Sequence, residues 1–198
     1  IGTSAFNAVF GRMGERTVSA MSNATQMEQL GNSFFYGISI GCCVSVSFLL
    51  GQGNIAKAKE EAKKYALAGF YVGVFIMVLM LSINIPYVKI FFSTLEKETQ
   101  TMAVRLITVF ALYMPFRSLA SVFIMGNFRA SGDCRAGMLL DVLPVYLWSL
   151  PIGYLLGIRL HLGAVAVLAV MQFKRFIKAM LATKRFMDGK WKIETISE

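Results

Sequence analysis

Apolar positions in this chain run in unbroken blocks instead of alternating with polar ones. Residues 65–88 are 24 consecutive positions without a charge, and residues 29–56 are 28. About 20 apolar residues in helix cover a bilayer core roughly 30 Å thick. A helix on a soluble core carries a polar face and does not stay uncharged this long. The blocks predict transmembrane helices at about residues 17–50, 64–92 (interrupted at Pro86), 102–128, 136–158 and 162–186. An apolar stub at 1–12 is too short to span. The helix-stop cluster Gly51-Gln52-Gly53-Asn54 closes the first block. The expected class is an all-α integral membrane protein, a polytopic helix bundle of five complete transmembrane helices plus the end of a sixth.

Composition narrows the function classes. The 198 residues are 56% hydrophobic and 16% charged, against about 45–50% and 25% in soluble domains. That excludes both an ordinary soluble enzyme and a disordered chain. The net charge of +9 would suggest nucleic acid in a soluble protein. Here the basic residues gather at segment ends and in the tail, so no nucleic-acid partner is expected. With the tail inside, 13 Lys and Arg fall in the inner connections and 6 in the outer ones. This bias predicts a cytoplasmic C-terminus. An apolar pattern already under way at Ile1 predicts further chain upstream, completing a six-helix unit.

No catalytic pattern is present: no GxSxG, HExxH, CxxC or P-loop, and a single histidine, His161. Neither an enzyme nor a metal site is expected. Cys42 and Cys43 lie inside an apolar run and are expected to be small packing residues. Gly37, Gly41 and Ser45 recur every four residues, the spacing of a helix–helix packing face.

Ionisable groups within spans are costly and therefore mark function. Glu28, Arg117 and Asp141 are the candidates. Counting about 1.5 Å per helical residue puts Glu28 roughly 16 Å from the outer start of its helix, and Arg117 roughly 18 Å from the inner end of its own. A Glu28–Arg117 pair is one expectation, and a wet outer vestibule around Glu28 is the alternative. Asp141 falls only about 9 Å along its helix from Arg135, which also suits an inner-interface position. Asn7, Gln26, Asn32, Tyr36, Tyr71, Asn84, Tyr113, Tyr146 and Trp148 form a polar-aromatic set. Such side chains suit a cavity for bulky, weakly polar or cationic compounds, or anchoring at the membrane interface. Pro115, Pro144 and Pro151 interrupt helices near these positions.

Several stretches, taken in order, resemble one family. They are Gly11-Arg12-Met13-Gly14, Ala20 through Gln26, and Gly51-Gln52-Gly53-Asn54-Ile55-Ala56-Lys57-Ala58. Gly126-Asn127-Phe128-Arg129-Ala130-Ser131-Gly132-Asp133 follows, with the turn at residues 157–163 and the tail Arg185 to Trp191. The chain resembles the multidrug and toxic compound extrusion (MATE) family of membrane antiporters. The resemblance implies the C-terminal six-helix lobe of a twelve-helix transporter over residues 1–198. Its N-terminal lobe and most of the seventh helix would be absent, and residues 187–198 would form a cytoplasmic tail.

The implied activity is secondary active multidrug efflux from the inner (plasma) membrane by alternating access. Amphipathic or cationic compounds would be exchanged for H⁺ or Na⁺, with no cofactor beyond the coupling ion. The implied partners are the lipid bilayer, those small organic substrates and the N-terminal lobe. Asp133 matches the acid of the family's G-x-x-R-x-x-G-D signature, which suits either coupling or a helix-end salt bridge with Arg129 or Arg135. The alternatives are a lipid-linked saccharide flippase of related architecture, which intramembrane Arg117 would suit, or a non-transporting membrane interaction subunit.

Overall fold

The computed structural model describes residues 15–91, 97–149, 151–152, 155 and 164–189. Among these there is no strand. The helices are α1 (Glu15–Gly51), α2 (Ile55–Phe91), α3 (Lys97–Leu112), α4 (Met114–Ser121), α5 (Cys134–Pro144) and α6 (Ala164–Met187). A wide π-helical stretch prolongs α4 over Val122–Phe128, and another prolongs α5 over Val145–Ser149. The stub at 1–12, the turn at 157–163 and most of the tail lie outside the described residues.

Helices α1 and α2 have 37 residues each, about 55 Å of helix at 1.5 Å per residue, so each exceeds a bilayer and must tilt or protrude. Both are long and apolar enough to cross a membrane, and α3 with α4 make a third span if that broken pair counts as one. The expected five complete spans are matched only to that extent. The described part of α5 with its π-helical extension has 16 residues, about 24 Å. Helix α6 carries Lys174, Arg175, Lys178, Lys184 and Arg185 among its 24 residues.

Local chemistry explains the boundaries. Gly53 adopts φ 74°, a left-handed conformation that glycine takes without steric cost. Its N–H bonds the Leu50 carbonyl at 2.9 Å, and the Asn54 N–H bonds that of Leu49 at 3.0 Å, closing α1. The Asn54 carboxamide oxygen then accepts the Lys57 N–H at 3.2 Å, capping α2. Helix α2 consequently begins nine residues earlier than expected. Its Lys- and Glu-rich first turns are helical, supported by Lys64 bonding Glu60 and Glu61 at 3.0 Å. It also continues through Pro86 to Phe91, where an interruption was expected. A proline removes one ladder bond, and a membrane helix tolerates that where its neighbours resatisfy the backbone. Pro115 is decisive instead: it has no N–H to continue the ladder and its ring crowds the turn before it, and the single helix expected over 102–128 is broken at Tyr113.

Contacts divide the chain into two compact units. The first takes residues up to Gly31, Phe75–Met114 and Pro144–Lys174. Its core includes Met21, Met27, Ile76, Leu106, Phe110 and Leu168. The Asn84 amide donates to the Val104 carbonyl at 2.9 Å and to the Thr108 hydroxyl at 3.0 Å. The Tyr113 hydroxyl donates to the Ala169 carbonyl, and the Trp148 indole N–H to that of Val170, both at 3.2 Å. Tyr113 and Trp148 thus tie elements together here through their polar tips.

The second unit takes Asn32–Val74, Pro115–Leu143 and the residues from Arg175 on. Its core joins Cys42 and Val46 to an alanine stripe, Ala58, Ala62 and Ala66, with Phe123, Phe128 and Phe186. Small residues admit close helix approach, as expected in lipid. A Cβ on Gly69 would fall 2.9 Å from a Val122 methyl, and one on Gly126 would fall 3.1 Å from the Ser39 carbonyl oxygen. The Ser118 hydroxyl donates to the Gly69 carbonyl at 2.6 Å. Of the expected packing face, Gly41 sits against the Tyr65 ring and Ser45 bonds its hydroxyl at 2.9 Å, while Gly37 faces open space. Cys42 is buried, Cys43 half-buried, and all three cysteines are free thiols.

Candidate functional site

Charge is brought together most clearly in the second unit. Asp133 directly precedes α5, where its carboxylate complements the helix N-terminus. Arg185 of α6 points both Nε and Nη2 at Asp133 Oδ2, each at 2.7 Å. The Asp133 side chain is 9% exposed and that of Arg185 33%. The helix-end salt bridge expected at Asp133 is therefore made to α6, not to its loop neighbours Arg129 and Arg135. Gly132 allows the approach, taking φ 80° at the turn between the π-helical stretch and α5.

Two turns along α5, Asp141 accepts from Lys178 of α6 at 2.6 Å. Eight residues separate the acids and seven the bases, so the two helices run antiparallel and share a ladder with two rungs about 12 Å apart. The second rung inverts the usual exposure pattern: Asp141 is 62% exposed and Lys178 only 14%. Arg117 of α4 and Arg175 of α6 lie close enough for their charges to act on Lys178. Sequence reasoning isolated Arg117 and Asp141 but missed Lys178 and Arg175, treating the second half of α6 as a basic end. Their spacing, three residues apart before the uncharged stretch Ala179–Thr183, was the available signal.

The other candidates lie on several helices. Glu28 and Asn32 are buried on α1, Glu28 in the first unit and Asn32 in the second. Gln26 is exposed. Tyr36, Tyr71 and Tyr146 are exposed, and Tyr113 is half-buried and bonded as described. Asn7 lies outside the described residues. Arg117 is half-buried in the second unit. Among the described residues no group of three or more His, Cys, Asp or Glu side chains is arranged to hold a metal ion.

One residue in the motif stretch was not singled out from sequence. Asn127 is fully buried in the π-helical turn, and neither atom of its carboxamide has a hydrogen-bond partner. Buried amides are normally satisfied, and π-helical turns accumulate at functional sites. Its neighbour Gly126 packs against Cys42 and the Ser39 backbone, and Ser39 shares a hydrogen bond with Ser121 at 2.9 Å. An amide inside an otherwise apolar run, IMGNF, was the clue.

Comparison with known proteins bears on this arrangement. The family model MatE matches residues 1–155, which include the Gly126–Asp133 stretch and α5. A curated relative, "Multidrug and toxin extrusion protein 1" of Oryctolagus cuniculus, is 28% identical over 131 residues. That stretch is 66% of this chain and 22% of the relative, so the chain matches a minor part of that protein's length.

Proposed function

This chain belongs to the MatE family, and from that premise we propose that the protein containing it is a secondary active exporter of amphipathic or cationic compounds. MatE proteins are multi-pass membrane transporters, not enzymes. The family match across residues 1–155, with its motif acid engaged by α6, is the observation that carries the reading. The chain is the C-terminal lobe, with five complete spans and the end of a sixth. It works beside an N-terminal lobe in the plasma membrane, with residues 187–198 in the cytoplasm.

Export proceeds by alternating access, driven by H⁺ or Na⁺. Coupling requires that ion and drug favour different states of one bistable bundle. A carboxylate that exchanges a bound cation for a cationic drug achieves this by direct competition. Glu28, buried on α1, is the candidate for that role in the first unit. Asp133 and Asp141 are the candidates in the second, and releasing either from its α6 base would link ion binding to movement of α6. Gln26, Asn32, Tyr36, Tyr71, Tyr113 and Tyr146 supply polar and aromatic contacts along the pathway.

A second reading has a specific observation behind it. Arg117 and Arg175 lie close enough for their charges to act on Lys178, the partner of Asp141, a cluster of cations that suits an anionic lipid-linked saccharide. Ethidium accumulation in efflux-deficient bacteria tests the two. The chain alone is compared with the same gene extended upstream to its full reading frame, both confirmed in the membrane. Lowered accumulation with the long form establishes drug export. Unchanged accumulation with both refutes it in favour of the flippase or of a non-transporting subunit. Those two separate on whether neutralising Arg117 and Lys178 changes lipid-saccharide flux or only assembly.

A further inference from the structure

The second unit holds a cavity of about 520 Å³ away from the charged ladder, bounded by α2, the end of α4 with its π-helical extension, and the last turns of α6. We propose that this cavity is a binding site for an anionic phospholipid, distinct from the export pathway.

The cavity has two chemically different ends. Lys59 and Lys63 stand one helical turn apart on α2 and line it, so both ammonium groups lie on one face. Neither forms an ion pair among the described residues, whereas their neighbour Lys64 is occupied by Glu60 and Glu61. Among the described residues no acidic side chain lines the cavity. Two uncompensated cations repel a cationic drug and attract a phosphate. The remaining wall is apolar apart from the Thr183 hydroxyl, which donates to the Ala179 carbonyl at 2.7 Å: Leu67 and Phe70 continue the lysine face of α2, and Phe123 and Phe186 close the floor with their rings 4.9 Å apart. Ala66, small and buried, leaves the space open.

Depth matches the order of groups in a lipid. Lys64 is the last charge before the uncharged run at 65–88, so Lys59 and Lys63 stand at headgroup level. Phe70 is seven residues on from Lys63, about 10 Å into the hydrocarbon. A phosphodiester on the lysines with an acyl chain along Leu67, Phe70 and Phe123 fills both ends at once. The volume lies within the range of ordinary small-molecule sites. Basic pockets between membrane helices are suited to phospholipid headgroups.

The test uses the full chain, purified in detergent and incubated with equimolar phosphatidylglycerol and phosphatidylcholine of matched acyl chains. Mass spectrometry of the intact complexes reads which lipid is retained. Each lysine near an anionic headgroup contributes roughly fivefold, so about a twenty-five-fold preference for phosphatidylglycerol is expected from the two. Lys59→Gln with Lys63→Gln brings the ratio near one. Lys57→Gln with Lys64→Gln, equal charge removed from the same helix, leaves it within twofold. Thr183→Trp, which fills the apolar end, lowers phosphatidylglycerol retention at least fivefold with both lysines intact. The proposal is overturned by a wild-type ratio near one, by a control pair as damaging as the lysine pair, or by full retention in Thr183→Trp.

Discussion

Removing the charge of Asp133 isolates what the α5–α6 connection contributes. Asp133→Asn keeps the volume of the side chain and its capacity to cap α5, while Arg185 loses its counterion. Two charge-assisted contacts of 2.7 Å converge on one carboxylate oxygen. Hydrogen bonds to charged groups contribute about 1.5–3 kcal/mol, and fully exposed pairs less than about 1 kcal/mol. The carboxylate is shielded and the guanidinium partly exposed, so the coupling should be about 2 kcal/mol. For a chain of this size, 1 kcal/mol shifts Tm by roughly 2–4 °C. Asp133→Asn and Arg185→Gln are each expected to lower Tm by about 4–8 °C, and the double variant by no more than the worse single. The assay is thermal inactivation of purified protein followed by size-exclusion fluorescence. One heating rate is used throughout, because irreversible unfolding makes Tm rate-dependent. A double variant whose loss equals the sum of the singles refutes the coupling.

The remaining predictions use the same reasoning. At the second rung the exposures are unequal, so Asp141→Asn, which strands a shielded ammonium, should cost about 2 kcal/mol in the same assay, more than Lys178→Met. Equal costs would show that Lys178 is solvated despite its burial. Gly126→Ala drives a methyl to 3.1 Å from the Ser39 carbonyl oxygen, a backbone atom with little freedom to yield. It should destabilise by about 1–3 kcal/mol. Gly37→Ala, with nothing within 4 Å, should change stability by less than about 0.5 kcal/mol. A neutral Gly126→Ala would refute the close approach.

Membrane residence, helical class and family were legible before any coordinates. Long uncharged runs have only one favourable environment, and the ordered motifs from Gly51 through Asp133 carry the resemblance that the MatE match bears out. Helix ends were legible where turn chemistry is local, as at Gly53 and Asn54. They were misread where it is not. The lysine-rich start of α2 resembles a connector in hydropathy but is a good helix by propensity. Pro86 and Pro115 are the same residue type with opposite outcomes, because a proline's effect depends on what resatisfies the backbone around it.

The charged residues divide along the same line. Periodicity and burial cost, which act residue by residue, already marked Glu28, Arg117 and Asp141 as ionisable groups out of place in apolar helices. Pairing is a property of two segments at once. Arg185 lies 52 residues from Asp133 and Lys178 lies 37 from Asp141, separations over which sequence spacing carries no distance. Only the antiparallel packing of α5 against α6 decided which base meets which acid. Only the packing of α2, α4 and α6 left Lys59 and Lys63 without acids above an apolar cavity. Composition determines the solvent a segment must occupy, and tertiary structure decides which charges share it.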